Sequence, residues 1–403
     1  MYRQLCNLLE DNKCEQNIKV IAQAHLDEIK SCKNFKGTIE INQMPEVNLR
    51  MEGVQELVGD LIITNNGALQ SFTAPDLRKV DGTVRIENHT FLNKLDLPQL
   101  TEANAISLFV LPALEVIQFP AGLSKVNTMR IEDTHAPKVD GFKPETIESF
   151  TLTGNKLIKA FDFNSVKQVT GDLLIIGNSA DLDFQATQLT SLNKAAFFNM
   201  DKLDLPALTQ VRSDISFHEN NFASLNMDAI EHIGGTVTIA NNEKLTETSF
   251  KNLNRVVGAL SIGNNTQLNA IDGFPKLTEI HGMVDLAGGF NSYSLPALQD
   301  VRGGMRLQTT SSQLGCSDIE HKMKGENIVK GNTWSCTASM QESNMVPTVG
   351  QSPSKSTTSS GGQSDSSAAH SENKNEVTSL GVKWSMGGHA WLVVAAGFLY
   401  TAL

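Results

Sequence analysis

Between Cys32 and Cys316 this 403-residue chain has no cysteine, and its five cysteines, Cys6, Cys14, Cys32, Cys316 and Cys336, sit toward the two ends. That distribution excludes a stapled core and any paired-cysteine zinc site, since no Cys-x-x-Cys occurs. Basic residues are also short, 33 Lys+Arg against 44 Asp+Glu for a net charge of -11, so the stripe that phosphate contacts require is missing and nucleic acid is excluded as a partner. There is no Gly-x-Ser-x-Gly and no phosphate-binding glycine loop; the nine histidines are scattered singly. His218-Glu219 lacks the second histidine of the zinc-helix motif. No cofactor and no metal are expected. The opening "MYRQLCNLLEDNK" lacks the apolar run of about 7 to 15 residues that a secretory leader needs. No segment carries a continuous amphipathic helical pattern long enough for a βα solenoid.

What the chain does have is one pattern, thirteen times over. Gly-x-Φ-x-Φ, with Φ apolar, starts at residues 37, 59, 82, 171, 235, 258, 282 and 303, and degenerate copies at 104, 127, 148, 193 and 213 fill the gaps, with steps of 20 to 24 residues. A second element follows in many copies, as in "LDLPQL" from 95, "LDLPALTQV" from 203 and "YSLPAL" from 293. Proline cannot donate to a strand ladder, so this element turns a corner while Leu100, Leu114, Leu208, Leu277 and Leu298 point inward. Each copy therefore reads as strand, turn, short second side, turn. One copy cannot bury a face alone, but stacked copies bury a continuous column. The expected fold is all-β: a right-handed β-helix or leucine-rich solenoid of about thirteen rungs, on the order of 60 Å long at about 4.8 Å per strand.

Asn65, Asn88, Asn199, Asn241 and Asn264 fall six residues after a rung start, and Asn155, Asn178 and Asn220 one further on. Asparagine tolerates a left-handed backbone and can bond neighbouring backbone groups, so this register is read as a corner, with a side-chain ladder along the stack. Glycine at the rung starts is read the same way for the opposite corner.

Open solenoid ends need covers. Residues 14–36, with a helix around Ala24 to Ser31 and a Cys14–Cys32 bridge, form the first cap. Residues 316–336, bridged Cys316–Cys336 and with Trp334 over the last rung, form the second. Cys6 is left over, in an uncertain segment 1–13. Residues 37–315 hold the rungs. From 337 to 379 the chain is rich in Ser, Thr, Gly and Gln and reads as an O-glycosylated stalk. Residues 380–403, ending in "AWLVVAAGFLYTAL", have the spacer and tail of a cleaved glycosylphosphatidylinositol (GPI) attachment signal, with Ser379 as attachment residue. Such anchoring takes place in the secretory lumen, so a leader upstream of this start is expected. Asn88-His89-Thr90 and Asn264-Asn265-Thr266 are N-glycosylation acceptors.

No catalytic site is expected. Asp60, Asp172 and Asp214 share a register but lie rungs apart, and Asp181 with Asp183 lacks the glycine and terminal glutamate of a calcium loop. Alternation alone places Thr64, Arg85, Glu87, Thr238 and Ser261 on an exposed face suited to extended polymers. Phe290 and Tyr293 are read as core rather than as a ligand patch.

The "LDEIKSCKNFKGTIEI" opening, the "GDLxIxxN…LPxL" rungs, the stalk and the tail together resemble the fungal SPS/ECM family of GPI-anchored cell-surface glycoproteins, whose solenoid is similar to the receptor L domain. The resemblance implies a non-enzymatic protein at the extracellular face of the plasma membrane and in the cell wall, supporting wall organisation and integrity. It further implies wall polysaccharide or mannoprotein as neighbour and a membrane link through the lipid anchor. The alternatives are a receptor-like ligand-binding module and a wall-polysaccharide-modifying β-helix enzyme.

Overall fold

The strand pattern resolves into a single parallel ladder. In the computed structural model, which describes residues 13–348, every named strand pairing is parallel. The ladder starts at Ile18–Val20 in the first cap, which pairs with Ile39–Asn42, and passes through all thirteen rung strands to Met305–Thr309. It ends on Trp334–Thr337 of the second cap. The stack is therefore continuous through the irregular rungs at 104–150. Cys6 and Ser379 lie outside the described residues.

Each turn has three sides, where the sequence reading gave two. The proline element separates a short second strand from a short third one: Ser71–Thr73 and Lys94–Asp96 pair on the second side, Glu56–Val58 and Lys79–Val80 on the third. The third strand was missed because it is only two or three residues long, or merges into the next rung, as in the single strand Glu102–Leu111. At the proline corner the Leu100 N–H donates to the Leu97 carbonyl (3.2 Å), with Pro98 at the position where its fixed φ suits the turn.

The core fills the space between the three sides. Leu100, Leu114, Leu208, Leu277 and Leu298 are all buried, and a run of phenylalanines from Phe142 through Phe150, Phe161, Phe184, Phe197 to Phe217 packs ring against ring at 4.9 to 6.4 Å. Phe290 is buried and Tyr293 packs against the core, its hydroxyl 4.0 Å from the Met323 sulfur. Burial raises the Tyr293 phenol well above its ordinary range. Both residues are core, as expected.

The asparagine register does two jobs. The residue six after each rung start has positive φ in twelve consecutive rungs, from Gln43 to Gly288, with Asn65, Asn88, Asn199, Asn241 and Asn264 at 52° to 60°. The next residue points inward and builds a hydrogen-bonded ladder. Asn220 donates its backbone N–H (2.9 Å) and side-chain amide (3.0 Å) to Asn242 Oδ1, and Asn242 does the same to Asn265 Oδ1 at 2.9 and 3.0 Å. Thr134, Asn155 and Asn178 form a second such run, and Asn66 bonds His89 Nε2 at 3.1 Å.

The glycines at the rung starts have a different cause from the one expected. Only Gly37 and Gly59 among them have positive φ, at 135° and 149°. At Gly258 and Gly282 the constraint is space: a Cβ there would sit 2.5 Å from the backbone carbon of Gly235 or Gly258 in the rung before. Rungs approach so closely at this corner that only hydrogen fits.

Both cap bridges form as read, and the helix of the first cap ends three residues earlier than the expected Ser31. Cys14 bonds Cys32, and the helix Gln23–Glu28 lays Leu26 on the first rung. Cys316 bonds Cys336, a helix Cys316–Glu320 continues into a π-helical turn His321–Gly325, and Trp334 packs on the core from within the final strand.

Val110, β-branched, sits in the left-handed register at φ 53°. Replacing Val110 by Gly is expected to raise stability by about 1 kcal/mol through relief of that strain. Asn242→Ala, which strips partners from the buried amides of Asn220 and Asn265, is expected to cost about 3 kcal/mol. Thermal unfolding of both variants reads the opposite signs.

Candidate functional surface

Alternation sends two columns of side chains outward from the long ladder, three and five residues after each rung start. On the third to fifth rungs from the first cap they assemble a polar and aromatic cluster. Arg85 bonds Glu87 (2.8 Å), Ser107 Oγ donates to the same carboxylate (2.8 Å), Arg130 bonds Glu132 (2.6 Å), and the Arg130 guanidinium lies 4.3 Å from the Phe109 ring centre. The in-register pairs Arg85–Ser107–Arg130 and Glu87–Phe109–Glu132 position all six side chains. The hydrogen bond that Arg130 donates to the Glu132 carboxylate holds the guanidinium charged, against the cost of its partial burial. The arrangement offers a cationic plane on a ring with flanking carboxylate acceptors, which suits polyhydroxylated or peptide surfaces better than bond cleavage.

Phe109 was missed in the sequence because it adjoins the "LPAL" corner and reads as apolar filling. Strict alternation from Asn104 puts Ile106 and Leu108 inward and Phe109 outward, so the signal was present. Of the five residues expected to be exposed, only Arg85 is. Thr64, Glu87, Thr238 and Ser261 are buried, which corrects the expectation. Glu87 is drawn onto the sheet by Arg85 and Ser107, and Thr64 accepts from Asn42 Nδ2 (3.3 Å) between rungs. Thr238 and Ser261 belong to strands buried on both faces.

The aspartates serve the fold. Asp60 Oδ1 accepts from the Thr83 N–H (2.7 Å), and Asp214 Oδ1 from that of Thr236 (2.8 Å), bridging successive rungs. Asp172 receives no such role; its own N–H donates to Ser149 Oγ. Gln185 bonds Asp183, and Asp181 is exposed beside it. His218 stacks on Phe198 with ring centres 4.7 Å apart. Among the described residues there is no group of three or more His, Cys, Asp or Glu that could hold a metal ion, and no helix long and apolar enough to cross a membrane.

Both acceptor asparagines stand at the left-handed corner, Asn88 exposed and Asn264 half-buried. Each donates Nδ2 to the asparagine one rung below, Asn88 to Asn65 (3.2 Å) and Asn264 to Asn241 (3.0 Å). A glycosylated amide keeps one N–H, so a sugar and this bond are compatible.

No family model and no solved structure matches the chain. Its homologues are fungal proteins, several of them named for the cell wall or cell surface. Sporulation-specific protein 2 of Saccharomyces cerevisiae is 29% identical over 335 residues, which cover 82% of this chain and 66% of that protein. Protein ecm33 of Aspergillus fumigatus is 29% identical over 349 residues, 87% of this chain and 85% of the relative. The cell surface GPI-anchored protein ECM33 of Candida albicans is 27% identical over 328 residues, 81% and 79% of the two chains. The chain thus spans just under two thirds of the first of these relatives and more of the other two.

Burial lowers the His89 and His218 imidazoles from 6.5 to about 4, and both are neutral in the fold. The unfolded chain binds those protons first, so stability that is complete above pH 6.5 falls as pH drops toward 4, by up to about 3 kcal/mol per histidine. Unfolding midpoints measured from pH 7 to pH 4 should decline steeply, and His218→Gln should flatten the decline.

Proposed function

We propose that this chain is a non-catalytic, GPI-anchored glycoprotein of the fungal plasma membrane and cell wall that supports wall organisation by holding a rigid solenoid against wall polysaccharide or mannoprotein. The names of its homologues support the location and the role. The observation that carries the binding mode is the outward cluster of Arg85, Glu87, Phe109, Arg130 and Glu132, an aromatic and ionic platform on a face that is otherwise a regular ladder. The candidate catalytic aspartates Asp60 and Asp214 are spent on backbone hydrogen bonds, which favours binding over hydrolysis. In this reading N-glycans sit on Asn88 and Asn264, the segment from 337 to 379 is the stalk, and Ser379 receives the lipid after removal of 380–403.

Two measurements test it. Intact fungal cells producing the full chain, treated with a phosphatidylinositol-specific phospholipase, should release the protein into the medium; retention inside the cell sinks the surface reading. The double variant Phe109→Ala, Arg130→Ala should keep its thermal midpoint within a few degrees and lose at least tenfold in binding to isolated wall fractions. Undiminished binding would remove the platform from the account.

A further inference from the structure

Three consecutive rungs are short by one residue at the corner where the third side meets the long ladder. Ala103 pairs with Val80 and Val126, and Ala105 with Thr83 and Thr128. Asn104 therefore stands opposite two residues, Asp81 and Gly82, in the rung before and opposite Asn127 alone in the rung after. At the far end Ile147 pairs with Val169 and Phe150 with Leu173, so Glu148 and Ser149 face the three residues Thr170, Gly171 and Asp172. Where the flanking rungs start on Gly82 and Gly171, these three start on Asn104, Asn127 and Glu148, all exposed.

With one residue fewer to turn the corner, the chain runs straight through it in the strands Glu102–Leu111 and Lys125–Thr134. The wall recedes between the fuller corners of the flanking rungs and leaves two adjoining hollows, of about 250 Å³ and about 670 Å³, that share Lys125 and Asn127. From Gly82 to Gly171 the recess runs four rung steps, about 19 Å.

The recess is polar but nearly balanced in charge. Lys79 bonds Asp81 (2.8 Å), Lys125 bonds Glu102 (3.5 Å) and, at the far rim, Lys167 bonds Glu145 (3.0 Å). Those six charges cancel in pairs, and Glu148 adds one carboxylate, so a polyanion or a strongly basic partner meets little matching field. Asn127 Nδ2 donates to Asn104 Oδ1 (2.9 Å), a bond that fixes both amides and uses only one of their four N–H groups. The main chain is already paired across the recess: the Ser124 N–H donates to the Thr101 carbonyl (2.9 Å), that of Glu148 to Asn127 (2.8 Å) and that of Gly171 to Glu148 (2.7 Å). An extended peptide, which binds a sheet through free backbone groups, is disfavoured there. Recognition falls to side-chain amides and carboxylates.

We propose that this recess is a binding groove for an uncharged, linear oligosaccharide lying along the stack, its hydroxyls bonded by the Asn104 and Asn127 amides and the Glu102 and Glu148 carboxylates. A sugar hydroxyl donates and accepts at once, and a row of mixed donors and acceptors satisfies both roles. The ladder holds these side chains at steps of about 4.8 Å before any ligand arrives, so little ordering is lost on binding. Arg85, Phe109 and Arg130 stand three or five residues further along their rungs, which makes the groove a place distinct from that cluster. The assignment supplies a site and a ligand class within the binding reading proposed above, on which it rests.

The test is calorimetric titration of the full chain with three uncharged hexasaccharides, of glucose, of N-acetylglucosamine and of mannose, beside hexagalacturonate as a charged control. At least one uncharged hexasaccharide should bind with a Kd below about 1 mM, and hexagalacturonate at least about tenfold more weakly. Asn104→Ala combined with Asn127→Ala should weaken that binding about tenfold or more and, because both side chains are exposed, keep the thermal midpoint within a few degrees. Asn127→Trp, which fills the recess, is the second variant and should abolish binding. Phe109→Ala with Arg130→Ala should leave hexasaccharide binding unchanged. The proposal is overturned if no uncharged hexasaccharide binds, if hexagalacturonate binds as tightly, if binding survives in both recess variants, or if the Phe109 and Arg130 variant loses it. Phospholipase release and retention on wall fractions read the anchor and the arginine cluster, so failure there is distinguishable from failure here.

Discussion

Everything in this molecule depends on rungs stacking in parallel and in register, and the interaction that enforces the register is the inward asparagine ladder. A strand with two inward apolar residues would tolerate a slip of two positions at little cost in burial, since the side-chain period is two. A buried amide tolerates none, because Asn242 must meet Asn220 and Asn265 at once or leave polar atoms stranded in a dry core. The left-handed residue just before it sets the chain direction at that corner. Where the ladder lapses, at Leu111 and Met200, apolar packing takes over and the left-handed corner persists at Val110 and Asn199.

Charge reinforces the same register on the outside. Glu56, Lys79, Glu102 and Lys125 align one above another, so their signs alternate along the stack, and Lys125 reaches Glu102 at 3.5 Å. Each exposed pair is worth a fraction of a kcal/mol. A slip by one rung would place like charges about 4.8 Å apart, so the column discriminates against misassembly more than it stabilises the correct one.

The parts of this architecture legible in the sequence are those that repeat with fixed spacing: the rungs, the inward leucines after proline, the asparagine corner and the two bridged caps. What was not legible came from contacts between rungs. Glycine at 258 and 282 looked like backbone freedom and proved to be clearance, a distinction that no single rung contains. The third side was hidden because a strand of two residues has no period. The exposed face was misjudged at Glu87 because alternation says which way a side chain starts, whereas Arg85 and Ser107 decide where it ends.

A parallel ladder is too rigid to close around a ligand, so recognition has to be built from side chains standing on its faces. The outward face divides that task. Rungs 82 to 127 carry an arginine, phenylalanine and carboxylate cluster, whereas rungs 235 to 282 carry the small outward side chains of Thr238, Ala240, Ser261 and Ala287. The solenoid thus separates two features along one axis, the arginine and phenylalanine cluster toward the first cap and, at the last rung, the hydrogen bonds of Arg306 and Gln308 to residues 346 and 347. The distance between them is fixed by counting rungs, because the spacing of a parallel ladder cannot change without breaking every hydrogen bond in it.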